Sequence, residues 1–376
     1  MIYADNAATT RLDPEAFEAM RYFLVENYAN PSQPYSFSRD AKRALKRSRE
    51  IIAECINAEP EEIIFTSGGS ESDNQAIKCC EAEKVYASMI EHHAVLNACK
   101  SRDFTLIPVD EEGIVKISDL KPYKNSLVSV MLVNNETGTI QPVKTLAEIS
   151  HSHGAIFHTD AVQAIGHIDV DVKALGVDML SASAHKFNGP RGAGFLYVRR
   201  DIDVNDEAEI TGFHGIKIHS LINGGSQEFG LRAGTENVAC IVGMAKALEN
   251  NCRHIQQTQK FLLGLEQILL ERLISHKLDF RINGNISQKL PGILNLSFKN
   301  TNGERILHRL DLMGIYISTG SACDGMNTQI SHVIKALKVP QDYAKGTIRI
   351  SLGKFNSEND ALTIADALAK IIIPTQ

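Results

Sequence analysis

Short apolar runs at residues 63–66, 85–87, 104–107, 127–133, 155–159, 179–182 and 194–198 alternate with helical patterns, clearest at 71–80 and 143–153. No other feature limits the possible folds as much. A strand, a helical crossover and a further strand give a parallel pairing, so the rhythm predicts a mostly parallel sheet with helices on both faces. The run at 127–133 is apolar at nearly every position, as a strand covered on both sides must be. Upstream, Asp13-Pro14 places an N-cap before the residue best suited to the first helical position and predicts a helix toward Asn27. A second helix is expected over 38–56, where Ala41, Leu45, Ile51, Ile52 and Cys55 form one stripe.

The pattern is helical from 237 to 275 and then changes. Strands are expected at 280–282, 293–298, 316–318 and 348–351, with helices at 303–313 and 358–373, which is an α+β arrangement. The 376 residues exceed what one hydrophobic core usually organises. The expected division is a large domain over 15–255 and a smaller one made of 1–14 with 256–376. A net charge of -6 argues against bulk attraction to nucleic acid or an anionic membrane. No apolar run approaches the ~20 residues that cross a bilayer. The opening MIYADNAATT lacks the basic start of a secretory signal. Seven cysteines, an odd number without a Cys-x-x-Cys, fit neither a disulfide framework nor a zinc ribbon. The expectation is a cytoplasmic protein with no nucleic-acid or membrane partner.

Three predicted strand ends carry polar groups where open α/β sheets bind ligands. In Thr66-Ser67-Gly68-Gly69-Ser70-Glu71-Ser72, glycines permit close backbone approach and the following helix offers free N–H groups to a phosphate. Neither a Walker A loop nor a dinucleotide fingerprint is present. Taken alone, a glycine-rich turn without a ligand explains this stretch equally well. In Phe157-His158-Thr159-Asp160 an apolar strand ends in a carboxylate, which is either a helix N-cap or a counter-ion for a protonated ring nitrogen. In Ser183-Ala184-His185-Lys186 a lysine follows a strand that is buried by pattern. Most lysines are solvated, but a partly desolvated amine has a lowered pKa and reacts with carbonyls. In this order the three meet the needs of pyridoxal 5'-phosphate: an anchored phosphate, a protonated ring nitrogen and a tethered aldehyde.

At this point the sequence resembles the cysteine desulfurases of the NifS/IscS type, within the class V, fold-type I pyridoxal phosphate-dependent transferases. The resemblance covers nearly the whole chain. It rests on Tyr3-Ala4-Asp5-Asn6-Ala7-Ala8-Thr9-Thr10, Asn30-Pro31-Ser32, the 66–74 turn, Glu91-His92, Val133-Asn134-Asn135-Glu136-Thr137-Gly138, His158-Thr159-Asp160-Ala161 and Ser183-Ala184-His185-Lys186. Arg232-Ala233-Gly234-Thr235, Gly320-Ser321-Ala322-Cys323 and Arg349-Ile350-Ser351-Leu352-Gly353 complete it. The resemblance implies an α/β homodimer that converts L-cysteine to L-alanine. It also implies a persulfide on Cys323 for a sulfur-acceptor protein such as an iron–sulfur scaffold. Lys186 would hold the cofactor and shuttle a proton, Asp160 would pair with the ring nitrogen, and Gln163 would contact the ring hydroxyl. His92 would stack on the ring and assist proton transfer. Gly69, Ser70, Ser183 and His185 would bind the phosphate, joined by Thr235 from the other subunit. Asn135 and Arg349 would hold the substrate carboxylate. No metal is implied: His92-His93 and His151-Ser152-His153 lack a third ligand at suitable spacing. Selenocysteine lyase or a related β-lyase is the enzymatic alternative, and a non-catalytic partner protein that kept the fold is another.

Two stretches depart from the family pattern. After Asn30-Pro31-Ser32 the family continues with Ser, His and Gly, whereas this chain has Gln33-Pro34-Tyr35-Ser36, with Tyr35 about where the His is expected. After the nucleophile the family favours small hydroxyl residues, whereas this chain has Asp324-Gly325-Met326 in what reads as a mobile loop of the long type. A carboxylate beside a thiol raises the thiol pKa by like-charge repulsion. Asp324→Ser is therefore expected to move the rising limb of the pH–rate profile for persulfide formation to lower pH. An unmoved profile contradicts this.

Overall fold

The computed structural model describes residues 1–200, 216–319, 321–324 and 327–373, with the backbone alone at 321–324 and 327–329. Seven strands form the larger sheet, in the spatial order Ile63–Thr66, Gly194–Val198, Met179–Ser183, Ile156–Asp160, Ser126–Ser129, Lys84–Ser88 and Phe104–Ile107. Gly194–Val198 pairs antiparallel with both neighbours, and the other pairings are parallel. Side chains alternate between the two faces, and each face has its own apolar cover. Ile64, Leu127, Met179 and Leu196 pack with Ala76, Ile77 and Val95 from the helices Gly69–Cys79 and His93–Cys99. Their neighbours Ile63, Val128, Leu180 and Phe195 pack with Leu45, Ile52, Leu146 and Met244 from Arg39–Ile56, Val143–Ser152 and Val238–Cys252. This is the doubly covered α/β layer arrangement that the alternation predicts.

A second, antiparallel sheet runs in the order Ser318–Thr319, Thr347–Ser351, Ile293–Phe298, Phe280–Ile282. Its core joins Phe298, Ile348 and Ile350 to Leu265, Leu269 and Leu273 of the helix Ile255–Ser275 and to Ile364 and Leu368 of Glu358–Ile372. The N-terminal segment threads between the two cores: Ile2–Tyr3 pairs in parallel with Ile315–Tyr316, Ala4 lies in the smaller core and Ala7 in the larger. Val333, Ile334 and Leu337 also belong to the larger core.

Four expectations change in detail. The helical stretch at 237–275 breaks into Val238–Cys252 and Ile255–Ser275, because one half packs on the large core and the other on the small one. The apolar run at 127–133 leaves the sheet after Ser129, yet Val130 and Leu132 still donate to the carbonyls of His158 and Asp160, so it stays buried while Met131 and Val133 reach the ligand cavity. The 316–318 strand is two short strands serving different sheets. The loop expected around Cys323 is, in its described backbone, a two-stranded hairpin: Ser321–Asp324 pairs with Asn327–Ile330, with Cys323 opposite Thr328.

Candidate active site

A cavity of about 560 Å³ opens at the carboxyl ends of the parallel strands. The chain leaves each strand at a different point of its wall, which brings together residues far apart in sequence. Gly69, Ser70, His92, Asn135, Asp160, Gln163, Ser183, His185 and Lys186 all line it. Gly69 opens the helix Gly69–Cys79, whose first described internal bond is Ser72 N–H to Gly68 O at 3.1 Å. The N–H groups of the first helical turn before it take no part in the helix's own bonding, and Gly69, Ser70 and Glu71, which carry them, line the cavity. Glu71 braces the turn, accepting from Ser67 N–H at 2.8 Å and pairing with Arg232 at 3.0 Å. A Cβ on Gly69 would stand 2.5 Å from Val162 Cγ2, so the close approach of turn and sheet requires glycine.

At the other end Asp160 terminates its strand, 5% exposed, and Oδ1 accepts from Val162 N–H at 2.9 Å. Burial raises its pKa to about 6, against the opposing effects of that hydrogen bond and of the Lys186 charge. The two readings of this residue therefore coexist: the carboxylate caps the local turn and also faces the cavity. Gln163 donates through Nε2 to Ala7 O at 3.0 Å, and His185 Nδ1 lies 3.2 Å from Thr9 Oγ1.

Lys186 sits between these ends, on the short turn Ala184–Lys186 after the strand Met179–Ser183. Its Nζ donates to Ala7 O at 2.5 Å and Ala8 O at 2.9 Å. Desolvation, with the Arg349 charge second, lowers its pKa to about 8. Below that pH the amine is protonated and cannot attack a carbonyl. Condensation of cofactor-free protein with an aldehyde is thus expected to accelerate as pH rises through about 8 and then level off. Stopped-flow absorbance measures it, and a midpoint at the ordinary lysine value of 10.5 contradicts the desolvated placement. His92 caps the helix His93–Cys99 by accepting from Ala94 N–H through Nδ1 at 3.1 Å. Desolvation and then the Lys186 charge lower its pKa to about 4, so its ring is neutral at physiological pH.

Two further candidates, Arg349 and Thr235, are not among the residues that line the cavity. Arg349 is 7% exposed behind Asn135, donating to Asn135 O at 3.1 Å and to Asp5 Oδ1 at 2.7 Å. Its Nε is buried with no hydrogen-bond partner among the described residues. Thr235 is exposed and precedes the helix Val238–Cys252. The Cys323 side chain lies outside the described residues. Among the described residues no group of three potential ligands could hold a metal. Sequence reasoning missed the Ala7 and Ala8 carbonyls, Thr9 and Arg191 as parts of the site. The N-terminal motif was visible, but backbone acceptors leave no trace in side-chain identity.

The donor set fits pyridoxal phosphate: N–H groups and hydroxyls for a phosphate, a buried anion for a ring nitrogen, and a desolvated amine between them. Fold and site together define a pyridoxal phosphate-dependent enzyme of fold-type I. The chain belongs to the aminotransferase class-V family, which matches residues 2–363. It is 43% identical to a protein of Dictyoglomus turgidum named cysteine desulfurase IscS, over 99% of this chain and 94% of that one. It is 42% identical to a Clostridium botulinum protein of the same name, with the same coverage. A solved NifS-like protein superposes with a TM-score of 0.89 at 35% identity, covering 99% of both chains.

Proposed function

We propose that this chain is a cysteine desulfurase that releases sulfur from L-cysteine as a persulfide on Cys323, leaving L-alanine. The observation that carries this reading is the desolvated Lys186 amine, set between a phosphate cradle and a buried carboxylate in a chain whose full-length relatives are named cysteine desulfurases. When bound, pyridoxal phosphate supplies an electron sink for the carbanion at the substrate's α-carbon.

The chain's own groups do the rest. The N–H groups of Gly69 and Ser70, with Ser183 and His185, would hold the phosphate. Asp160 would supply the negative charge for the ring nitrogen, and Gln163 would meet the ring hydroxyl. The neutral His92 ring would stack on the cofactor ring and, with Nδ1 accepting from Ala94 N–H, would carry its proton on Nε2, where it can assist proton transfer as a donor. Lys186, uncharged above about pH 8, takes the proton from the substrate α-carbon. Asn135 and Arg349 hold the substrate carboxylate, with Asp5 fixing the guanidinium from behind. The Cys323 thiolate attacks the substrate sulfur. A sulfur–sulfur bond forms, the carbon–sulfur bond breaks, and its electron pair leaves with carbon, which is reprotonated to alanine. A homodimer, with the partner subunit's Thr235 reaching the phosphate, completes the site. The persulfide passes to an acceptor protein such as an iron–sulfur scaffold in the cytoplasm. The chain divides into a cofactor-binding domain, 15–255, and a smaller domain, 1–14 with 256–376, that carries Cys323.

Mass spectrometry after incubation with L-cysteine tests the reading. A gain of one sulfur on the Cys323 peptide, matched by alanine, is expected. Alanine without that gain overturns the assignment of the nucleophile, and no alanine overturns the reaction.

A further inference from the structure

Beneath Asp160 lies a buried polar column that the reaction described above does not use. His158 stands two residues before Asp160 on the same strand and so faces the same side of the sheet. Its ring bridges the neighbouring strands, with Nδ1 2.9 Å from Ser129 Oγ and Nε2 3.0 Å from Ser181 Oγ. Asp73, one turn into the helix that carries the phosphate cradle, closes the column, with Oδ1 3.8 Å from His158 Nε2. Asp73 is 1% exposed, and His158, Ser129 and Ser181 are fully buried.

Two buried carboxyl groups therefore flank this column, Asp160 at the cavity and Asp73 at the His158 ring, and they are not equally supported. Asp160 has the Val162 N–H at 2.9 Å and faces the Lys186 charge. Asp73 has only the Ser181 hydroxyl, and its Oδ1 has no hydrogen-bond partner among the described residues. The groups facing Asp73 are Asp160 and His158 from one strand, Ser181 from the next, and Glu91 from the segment after Lys84–Ser88. None of them is a cation, because burial keeps His158 neutral by lowering its pKa to about 3. Neighbouring buried carboxylates do not both ionise readily, and the proton goes to the one with fewer compensating donors.

We propose that Asp73 is a positioning residue that stays a neutral carboxylic acid and so confines the buried negative charge to Asp160, the carboxylate facing the cofactor's ring nitrogen. This inference rests on the cofactor assignment above and extends it to a residue that touches neither cofactor nor substrate. Burial, with the Asp160 charge second, pushes the Asp73 pKa well up, consistent with that state.

Infrared difference spectroscopy at neutral pH, wild type minus Asp73→Asn, reads the protonation directly. The protonated-carboxyl C=O band is expected in wild type and absent in Asp73→Asn. Glu91→Gln identifies the separate band of Glu91, whose pKa burial raises to about 8. In an Asp160→Asn background the Asp73 band should disappear at a pH lower by roughly one unit or more. In cofactor-loaded protein, the ionisation of Asp73 at alkaline pH should produce a visible spectral change that Asp73→Asn lacks. A carboxylate signal from Asp73 at neutral pH, or an Asp73 titration unmoved by Asp160→Asn, overturns the proposal. If Asp73→Asn fails to fold, carbonyl NMR of wild-type protein carrying 13C-labelled aspartate gives the same answer without altering the site. The infrared arm also runs on cofactor-free protein. A protonated Asp73 in a protein that makes no persulfide would therefore separate failure of the functional reading from failure of this one.

Discussion

Lys186→Ala is expected to abolish borohydride-fixed attachment of pyridoxal phosphate and to lower alanine production by at least about 10²–10⁴-fold, the usual contribution of a positioned proton-transfer group. The substitution removes the amine proposed both to tether the aldehyde and to take the α-proton. Ala8 O loses its Lys186 donor at the edge of a cavity that water can fill, and Ala7 O keeps its bond from Gln163 Nε2, so the fold should survive. Lys186→Arg should not restore activity. A guanidinium stays protonated at pH 7 and cannot act as base or nucleophile. Steady-state alanine formation and the absorbance of the borohydride-treated protein measure both effects. Sulfide production at the wild-type rate in Lys186→Ala would remove the basis of the functional assignment.

Cys323→Ala should leave cofactor attachment intact and eliminate the persulfide, with turnover falling by about 10³-fold or more, as loss of a nucleophile does elsewhere. The other six cysteines are unsuited to replace it, since none lines the cavity. Burial pushes Cys80 and Cys99 up to about 12 and also raises Cys79 and Cys240, while Cys55 is raised first by its hydrogen bond with Cys252 and then by burial. Cys252 alone is lowered, chiefly by its hydrogen bond to Cys55, and it ends a helix packed on Arg39–Ile56. Persulfide detected on any of these six in Cys323→Ala would show that the sulfur path differs from the one proposed.

The readable part of the site was the part made by side chains at strand ends. Asp160 and Lys186 could be picked out because a charged residue closing a buried apolar run has to be compensated or used. The glycine turn was readable because adjacent glycines before a helix permit close backbone approach, and the structure supplies the reason at Gly69, where a Cβ would collide with Val162. Arg349 shows the limit. Its position in the sequence marks it as a guanidinium on a buried strand, but its engagement by Asp5, 344 residues away, comes from the threading of the N-terminus between two cores.

The order of strands and helices along the chain, the covered sheet, the glycine turn and the strand-end acid and amine follow from the chain's own pattern. Periodicity and residue type are local properties, and local physics fixes them. What the folded molecule alone decided is which groups share a desolvated space. That sharing lowers the Lys186 amine to about 8, places Ala7 and Ala8 as its acceptors, and sets Asp73 against the His158 ring beneath Asp160. Protonation depends on burial and on neighbours from distant segments, and both exist only once the chain has closed on itself.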